Sequence, residues 1–297
     1  IYLYISSNDF SLSFFTGNHE KHNNFTHYSN RFAALQHLGA SSGSDTLLYY
    51  SHDVPNGHFI YFDTELFDKH RDEGAIARQY HWLEADLKAA NKPENRKERP
   101  WIVTVGHKCD WHDKTEYGVF RELFHVYGVD LHICGHEHNY QRLFPGMQDT
   151  VEKHDKHTFI NPKHWMQMVV GSPGAEDHIS DNIAPYPNAH AATVFNYGYG
   201  TLELVNSTHI YWEFLQTNES PKKKATTAFD QLLEDLQQAQ WSKARAKLMR
   251  EREGVSVNAK TEKTGRRKHK ALHEKLRDDD EVKDYMWLIQ AHHGMRT

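Results

Sequence analysis

The chain has 297 residues, of which 38% are hydrophobic, so it can bury a sizeable core and would by length hold one or two domains. Its formal net charge of −5 and calculated pI near 6.6 give no reason to expect a nucleic-acid partner. No run of about 18 apolar residues occurs, so we expect no transmembrane segment. The apolar N-terminus lacks a basic region and is interrupted by polar residues 6–9, which argues against a signal peptide.

The first polar cluster in chain order is GNHE at residues 17–20, at the end of a short apolar run. A helix is then predicted over residues 74–90 and is expected to end at residues 91–95, which contain Pro93. Apolar residues recur there at spacings of three to four, namely Ile76, Tyr80, Leu83 and Leu87.

Two strands with a helix between them follow. Residues 101–105 are predicted to form a strand that delivers His107, and residues 115–127 a helix with Phe120, Leu123 and Phe124 facing inward. The next apolar run, 129–134, delivers the sequence GHEH. Polar residues just past strand ends are where α/β proteins place their sites. Two later runs, 165–170 and 208–214, are expected to complete a second sheet.

After Pro221 the composition changes sharply. Apolar residues recur at helical spacing from Phe229 to Ala239, and a basic block at residues 266–270 precedes an acidic one at 278–281. We therefore predict a charged, helical extension over residues 218–297. A basic run can bind nucleic acid or anionic lipid, but a solvated helix is the favoured interpretation.

The pattern of polar residues points to metal chemistry. His136 and His138 are two residues apart where a strand meets its loop, which is a spacing typical of metal sites. One such pair is weak evidence in a chain with 24 histidines. Three polar clusters in the order GNHE, VGH and GHEH are harder to obtain by chance. Imidazoles suit zinc or iron, and an asparagine carbonyl is a harder donor.

This order resembles the calcineurin-like metallophosphoesterases, and the surrounding sequence narrows the resemblance to the purple acid phosphatase family. The likeness covers roughly residues 16 to 215. The stretches that carry it are HFIYFDTE (58–65), QYHWLEADL (79–87), RPWIV (99–103), YGVDL running through GHEH to NYQR (127–142), GSPG (171–174) and YGYGTLEL (197–204).

The resemblance implies an α/β fold, a metallophosphoesterase-type β-sandwich flanked by helices, over residues 1–217. It implies a binuclear metal centre, iron with zinc, manganese or a second iron, that activates a water for attack on a small phosphorylated substrate, a phosphomonoester. By resemblance, Asn18, His107 and His136 are ligands of the divalent metal and His138 is a ligand of the ferric ion. His19 would contact the phosphate.

Two motifs of the family are absent, an Asp-x-Gly and a Gly-Asp-x-x-Tyr that supply the bridging carboxylate, a second carboxylate and the tyrosinate. We therefore expect weak binding of two metals, no purple colour and doubtful activity for this chain. A fragment is favoured over a diverged, inactive paralogue. The alternatives are an inactive secreted glycoprotein scaffold and a phosphodiesterase or nucleotidase of the same superfamily.

Three further residues near the clusters have open roles. His112 is a candidate general acid, although an exposed loop histidine is the simpler interpretation. Cys109 and Cys134 flank the candidate ligands and either pair or remain two free thiols.

The resemblance also implies a secreted, lysosomal or vacuolar protein. Glycosylation sequons begin at Asn24, Asn206 and Asn218. The sequence does not indicate an oligomeric state.

Overall fold

The structure is a computed structural model that describes most of the chain up to Thr217 and a short C-terminal segment. The described residues are 2–6, 10–33, 36–67, 72–109, 119–147, 150–174, 179, 183, 188–217 and 281–296.

One helix in the described part of the chain is long and the others are short. The helices are α1 (Thr26–Arg31), α2 (Gln36–Ser41), α3 (Glu73–Ala90), α4 (Pro93–Glu98) and α5 (Val119–Val126), with a 3₁₀ helix at Glu65–Phe67. The strands are β1 (Tyr2–Ser6), β2 (Phe10–Phe14), β3 (Tyr50–Val54), β4 (Gly57–Tyr61), β5 (Trp101–Val105), β6 (Leu131–Cys134), β7 (Tyr140–Leu143), β8 (Gly146–Met147), β9 (Thr150–Val151), β10 (Thr158–Ile160), β11 (Met166–Val170), β12 (His190–Val194), β13 (Gly198–Asn206), β14 (His209–Gln216) and β15 (Glu281–Ile289).

Seven strands form the first sheet, in the order β12-β7-β11-β6-β5-β4-β3. The central strands β4, β5, β6 and β11 are parallel, whereas β3 and β7 run antiparallel to their neighbours β4 and β11. Every residue of β5 and β6 is buried, as expected for parallel strands that are covered on both faces. The carboxyl ends of β5, β6 and β11 therefore lie at one edge of the sheet.

The two faces of this sheet pack against different layers. In β4, Phe59 and Tyr61 point into a core shared with the second sheet, whereas Ile60 points into a core shared with the helices. This alternation follows from the two-residue period of a strand. The second sheet has the order β10-β15-β14-β13. The predicted α/β sandwich flanked by helices is therefore confirmed.

The two predicted helices are present. The first begins at Glu73, where the Asp72 carboxylate accepts a hydrogen bond from the N–H of Ala75 at 3.1 Å and caps the helix. The second is seen as α5, and residues 115–118 at its predicted start lie outside the described residues. No helix in the part of the chain that the structure describes is long and apolar enough to cross a membrane.

Two expectations about the later strands need correction. Residues 166–170 form β11, which lies in the first sheet between β6 and β7 and not in the second sheet. The reason is that side chains on both of its faces are buried, which suits a central strand, and Gln167 is its one polar residue. Within the predicted helical extension, Glu281–Ile289 is a strand, β15, that pairs in parallel with β10.

The period of burial in β15 explains the second correction. Asp284, Met286 and Leu288 are buried, whereas Val282, Tyr285 and Trp287 are exposed. This two-residue period is that of a strand with one face on a core. Residues 218–280 lie outside the described residues, so the helical extension stays a prediction there.

A buried charged network joins β15 to the first sheet. The carboxylate of Asp284 accepts hydrogen bonds from Arg142 Nε at 2.6 Å, from Arg142 Nη2 at 2.7 Å and from the Tyr140 hydroxyl at 2.7 Å. Trp212 Nε1 donates to the Tyr140 hydroxyl oxygen at 3.0 Å. All four side chains are buried. Tyr140 and Arg142 lie on β7, the strand that directly follows the GHEH segment.

Candidate metal-binding site

Three loops meet at the carboxyl edge of the first sheet. β5 ends two residues before His107, and β6 ends two residues before His136. The GNHE segment, which contains Asn18, follows β2 and lies against the His107 loop. The backbone N–H of Gly135 donates to the carbonyl oxygen of His107 at 2.9 Å, which keeps two of these loops side by side.

Three donor atoms converge on one point in this edge. His107 Nε2 lies 2.6 Å from Asn18 Oδ1 and 3.2 Å from His136 Nδ1. The imidazole of His107 is buried, Asn18 is half-buried, and His136 is exposed. An amide oxygen and two ring nitrogens are thus held within a few ångströms of each other, with one side open to solvent.

The electrostatic setting favours the neutral form of both imidazoles. Burial, helped by the neighbouring His136, lowers the pKa of His107 to about 3. Burial also lowers the pKa of His136. A neutral imidazole has a free lone pair on one nitrogen, which is the form that binds metal ions. The cluster is therefore ready to act as a donor set at ordinary pH.

Two glycines allow the loops to approach so closely. A Cβ at Gly17 would lie 2.9 Å from His107 Nδ1. A Cβ at Gly171, just after β11, would overlap the carbonyl oxygen of Glu137 in the GHEH segment. Gly171 also donates its N–H to the carbonyl oxygen of Asn139 at 3.1 Å. The first glycine of the GSPG motif thus lets the end of β11 pack directly against the backbone of the GHEH loop.

Two family models match this chain. A family model described as calcineurin-like phosphoesterase matches residues 6–140. A second model, described as iron/zinc purple acid phosphatase-like protein C, matches residues 165–231. Together the two models cover more than half of the chain. The chain belongs to the purple acid phosphatase family.

Curated relatives include acid phosphatase type 7 of Danio rerio and of Homo sapiens. The first is 36% identical over 231 residues, which are 69% of this chain and 50% of that protein. The second is 34% identical over 235 residues, 71% of this chain and 51% of that protein. This purple acid phosphatase chain therefore spans about half the length of the curated relatives it matches.

One solved structure in the comparison is the purple acid phosphatase PPD1 of yellow lupin (Lupinus luteus). It is 21% identical, with a TM-score of 0.48, over 58% of this chain and 31% of that chain.

The family implies a metal centre, and the residues of this chain fit one ion better than two. Asn18, His107 and His136 provide nitrogen and oxygen donors of the kinds that divalent ions take. Across the described ranges, no three His, Cys, Asp or Glu side chains come close enough to hold a metal ion together. His138 is half-buried on the GHEH loop, and its role as a ligand of the ferric ion stays a prediction.

The two predicted catalytic residues have different outcomes. His19 is exposed beside the cluster, and its charge is one of the smaller influences that lower the pKa of His107. Its contact with phosphate stays a prediction. His112 lies outside the described residues, so its role as a general acid also stays a prediction.

Residues 63–65 form an acidic segment next to the cluster, and in the sequence they stood out only as part of the likeness to the family. Burial raises the pKa of Asp63 to about 7, and its carboxylate accepts a hydrogen bond from the N–H of Glu65 at 2.7 Å. The carboxylate of Glu65, fully buried, lies 3.3 Å from Lys108 Nζ. The Thr64 hydroxyl oxygen accepts a hydrogen bond from the N–H of Lys108 at 3.1 Å. This segment therefore supports the loop that carries His107. The signal in the sequence was its position directly after a strand.

Cys109 and Cys134 form a disulfide, which decides between the two open interpretations. The bridge ties the loop after β5 to the end of β6.

The backbone at His136 is strained, which leads to a prediction. Its φ of 62° lies in the left-handed region, which L-residues other than glycine rarely adopt. We expect the free energy of unfolding of the variant His136→Gly to exceed that of His136→Ala by about 0.5–1 kcal/mol. The steric strain of alanine at a positive φ costs more free energy than the extra conformational entropy of glycine in the unfolded chain. Urea denaturation would measure the difference.

The same pair of substitutions at His138 is the matched control. His138 does not have a positive φ, so alanine should there be the more stable of the two. If alanine is also the more stable at position 136, the backbone of His136 is not strained.

Proposed function

We propose that this chain supplies the divalent-metal side of a purple acid phosphatase centre, and that the protein hydrolyses phosphomonoesters. Phosphoester hydrolysis in general is what the family supports. The observation that carries the proposal for this chain is the convergence of Asn18 Oδ1, His107 Nε2 and His136 Nδ1.

The residues of the chain have separate tasks in this proposal. Asn18, His107 and His136 hold a divalent ion, which when bound polarises a phosphoryl oxygen. Burial keeps His107 unprotonated even in acid, so this ligand remains available at the acidic pH of a lysosome or vacuole. His19, exposed at the mouth of the cluster, donates a hydrogen bond to the phosphate. Lys108, paired with Glu65, adds positive charge at the same edge.

Two observations support a secretory route for the protein. The Cys109–Cys134 disulfide is typical of an oxidising compartment. The sequon residues Asn24 and Asn206 are exposed and can accept a glycan, whereas Asn218 lies outside the described residues. We include secretion and glycosylation in the proposal on these grounds.

Metal binding is the first test. We expect isothermal calorimetry to show one Zn²⁺ per chain at the three-donor cluster, and His107→Ala to weaken binding about a hundredfold through the loss of a direct ligand. His81→Ala, an exposed histidine of α3, is the matched control and should bind as the parent does. Equal affinities of the His107 and His81 variants would show that the ion binds elsewhere.

Substrate class is the second test. The protein should release phosphate from a phosphomonoester such as p-nitrophenyl phosphate faster than it cleaves bis(p-nitrophenyl) phosphate. A reversed order would favour the phosphodiesterase or nucleotidase alternative. A protein that binds no metal and cleaves neither compound would support the inactive scaffold.

A further inference from the structure

The Cys109–Cys134 disulfide links the two loops that carry the histidine donors. Cys109 lies two residues after His107, and Cys134 is the last residue of β6, two residues before His136. The hydrogen bond from the Gly135 N–H to the carbonyl oxygen of His107 runs alongside the bridge. The disulfide is thus part of the frame of the donor cluster.

The cluster needs such a frame. His107 Nε2 lies at hydrogen-bond distance from Asn18 Oδ1, at 2.6 Å, and from His136 Nδ1, at 3.2 Å, so both contacts depend on the relative position of three separate loops. The left-handed backbone at His136 adds a conformational cost. A covalent tie reduces the freedom that binding an ion would otherwise have to remove.

We propose that the Cys109–Cys134 disulfide is a positioning element of the metal site, and that its reduction weakens the binding of a divalent ion by Asn18, His107 and His136. This inference rests on the proposed function. The disulfide makes the affinity for the metal dependent on the redox state of the chain, although neither cysteine contacts the ion or the substrate.

The reduction is an ordinary thiol–disulfide exchange with a dithiol. Cys109 is half-buried whereas Cys134 is buried, so the thiolate of the dithiol attacks Cys109 Sγ. The bond between the two cysteine sulfurs breaks, and Cys134 leaves as a thiolate that takes up a proton. The second thiol of the dithiol then displaces Cys109, which also becomes a thiol. The chain gains two electrons and two protons, and the dithiol becomes a disulfide.

The test measures Co²⁺ binding by three forms of the full chain. They are the oxidised chain, the chain reduced with a phosphine, and the double variant Cys109→Ala with Cys134→Ala. The phosphine becomes a phosphine oxide, with its oxygen atom taken from water, as the bridge opens, and it is removed by anaerobic gel filtration before Co²⁺ is added. We expect the reduced chain and the double variant both to bind Co²⁺ at least tenfold more weakly than the oxidised chain. Circular dichroism would confirm that each form is folded, and the reduced chain carries the test if the variant is not.

Two results would overturn the proposal. Affinities of the three forms that agree within twofold would show that the bridge does not position the donors. Tighter binding by the reduced chain, with the absorption band of thiolate-bound cobalt, would show that the cysteines are ligands themselves.

A second readout works without metal, so failure of the proposed function can be told apart. In chains with isotope-labelled histidine, the ring contact between His107 and His136 should be visible by NMR in the oxidised form and lost on reduction. If the oxidised chain binds no Co²⁺, the proposed function fails. The ring contact between His107 and His136 then still tests whether the disulfide positions the two histidines. If this contact survives reduction, the disulfide does not position them.

Discussion

Replacing Asp284 with alanine is expected to lower the free energy of unfolding by about 3–5 kcal/mol. The substitution removes both hydrogen-bonded oxygens from Arg142, whose side chain is fully buried, and leaves its charge without a counter-ion. It also removes the acceptor of the Tyr140 hydroxyl. Denaturation by urea, followed by tryptophan fluorescence, would measure the loss.

Two further variants make this prediction specific. Lys283→Ala changes an exposed neighbour on the same strand and should alter stability by no more than about 0.5 kcal/mol. The double variant Arg142→Met with Asp284→Leu removes both charges and should recover much of the loss, because a buried ion pair replaced by apolar groups of similar volume is often neutral. A loss under about 1 kcal/mol in Asp284→Ala would mean that the pair is not buried as described.

The second large effect concerns pH and His58. This imidazole lies between two carboxylates, with Nδ1 at 2.6 Å from Asp53 and Nε2 at 2.9 Å from Asp86. Burial alone would lower the pKa of His58. The hydrogen bonds and charges of Asp53 and Asp86 outweigh burial and raise the pKa to about 9. The ion pair connects the β3–β4 hairpin with α3.

The direction of the pH effect follows from this raised pKa. The protonated form is favoured by folding, so the stabilisation is fully present below about pH 6.5, the value in the unfolded chain, and is lost as the pH rises through about 9. The difference between the pKa of His58 in the unfolded chain and in the folded chain corresponds to about 3 kcal/mol. We expect the free energy of unfolding to fall by about that amount across this window, relative to the variant His58→Gln.

Neighbouring groups do not obscure this window. Burial lowers the pKa of His52 to about 4, so its contribution changes below pH 6.5 and not above. Arg99, whose Nε lies 3.1 Å from Asp53, stays charged throughout. The measurement is the difference between parent and variant from pH 6 to 10. A difference that stays constant over this range would contradict the pairing of His58 with the two carboxylates.

Much of the candidate site was predictable from the sequence. The runs before His107 and before GHEH predict two parallel strands, because each is short and mostly apolar and a helix lies between them. The carboxyl ends of parallel strands meet at one edge of a sheet, so the loops of His107 and His136 were expected to be neighbours. The spacing of apolar residues in α3 likewise predicts the helix, because it repeats over several turns.

Other features depend on contacts between residues far apart in the chain. The pairing of Cys109 with Cys134, the left-handed backbone of His136 and the role of Gly171 depend on how the loops pack, which no local pattern records. β15 carries a two-residue period, but it follows an acidic run and a helical pattern, and the strand with which it pairs in parallel, β10, lies more than a hundred residues earlier.

The sequence by itself therefore determined the family, the main strands of the first sheet with the helices that pack on it, and which polar side chains follow the ends of those strands. Hydrophobic period and motif order are local properties, and they suffice for that. Only the tertiary structure decided that Asn18, His107 and His136 converge, that β11 lies in the first sheet, and that Asp284 ties β15 to β7. These outcomes depend on which surfaces bury each other, and burial is a property of the packed chain as a whole.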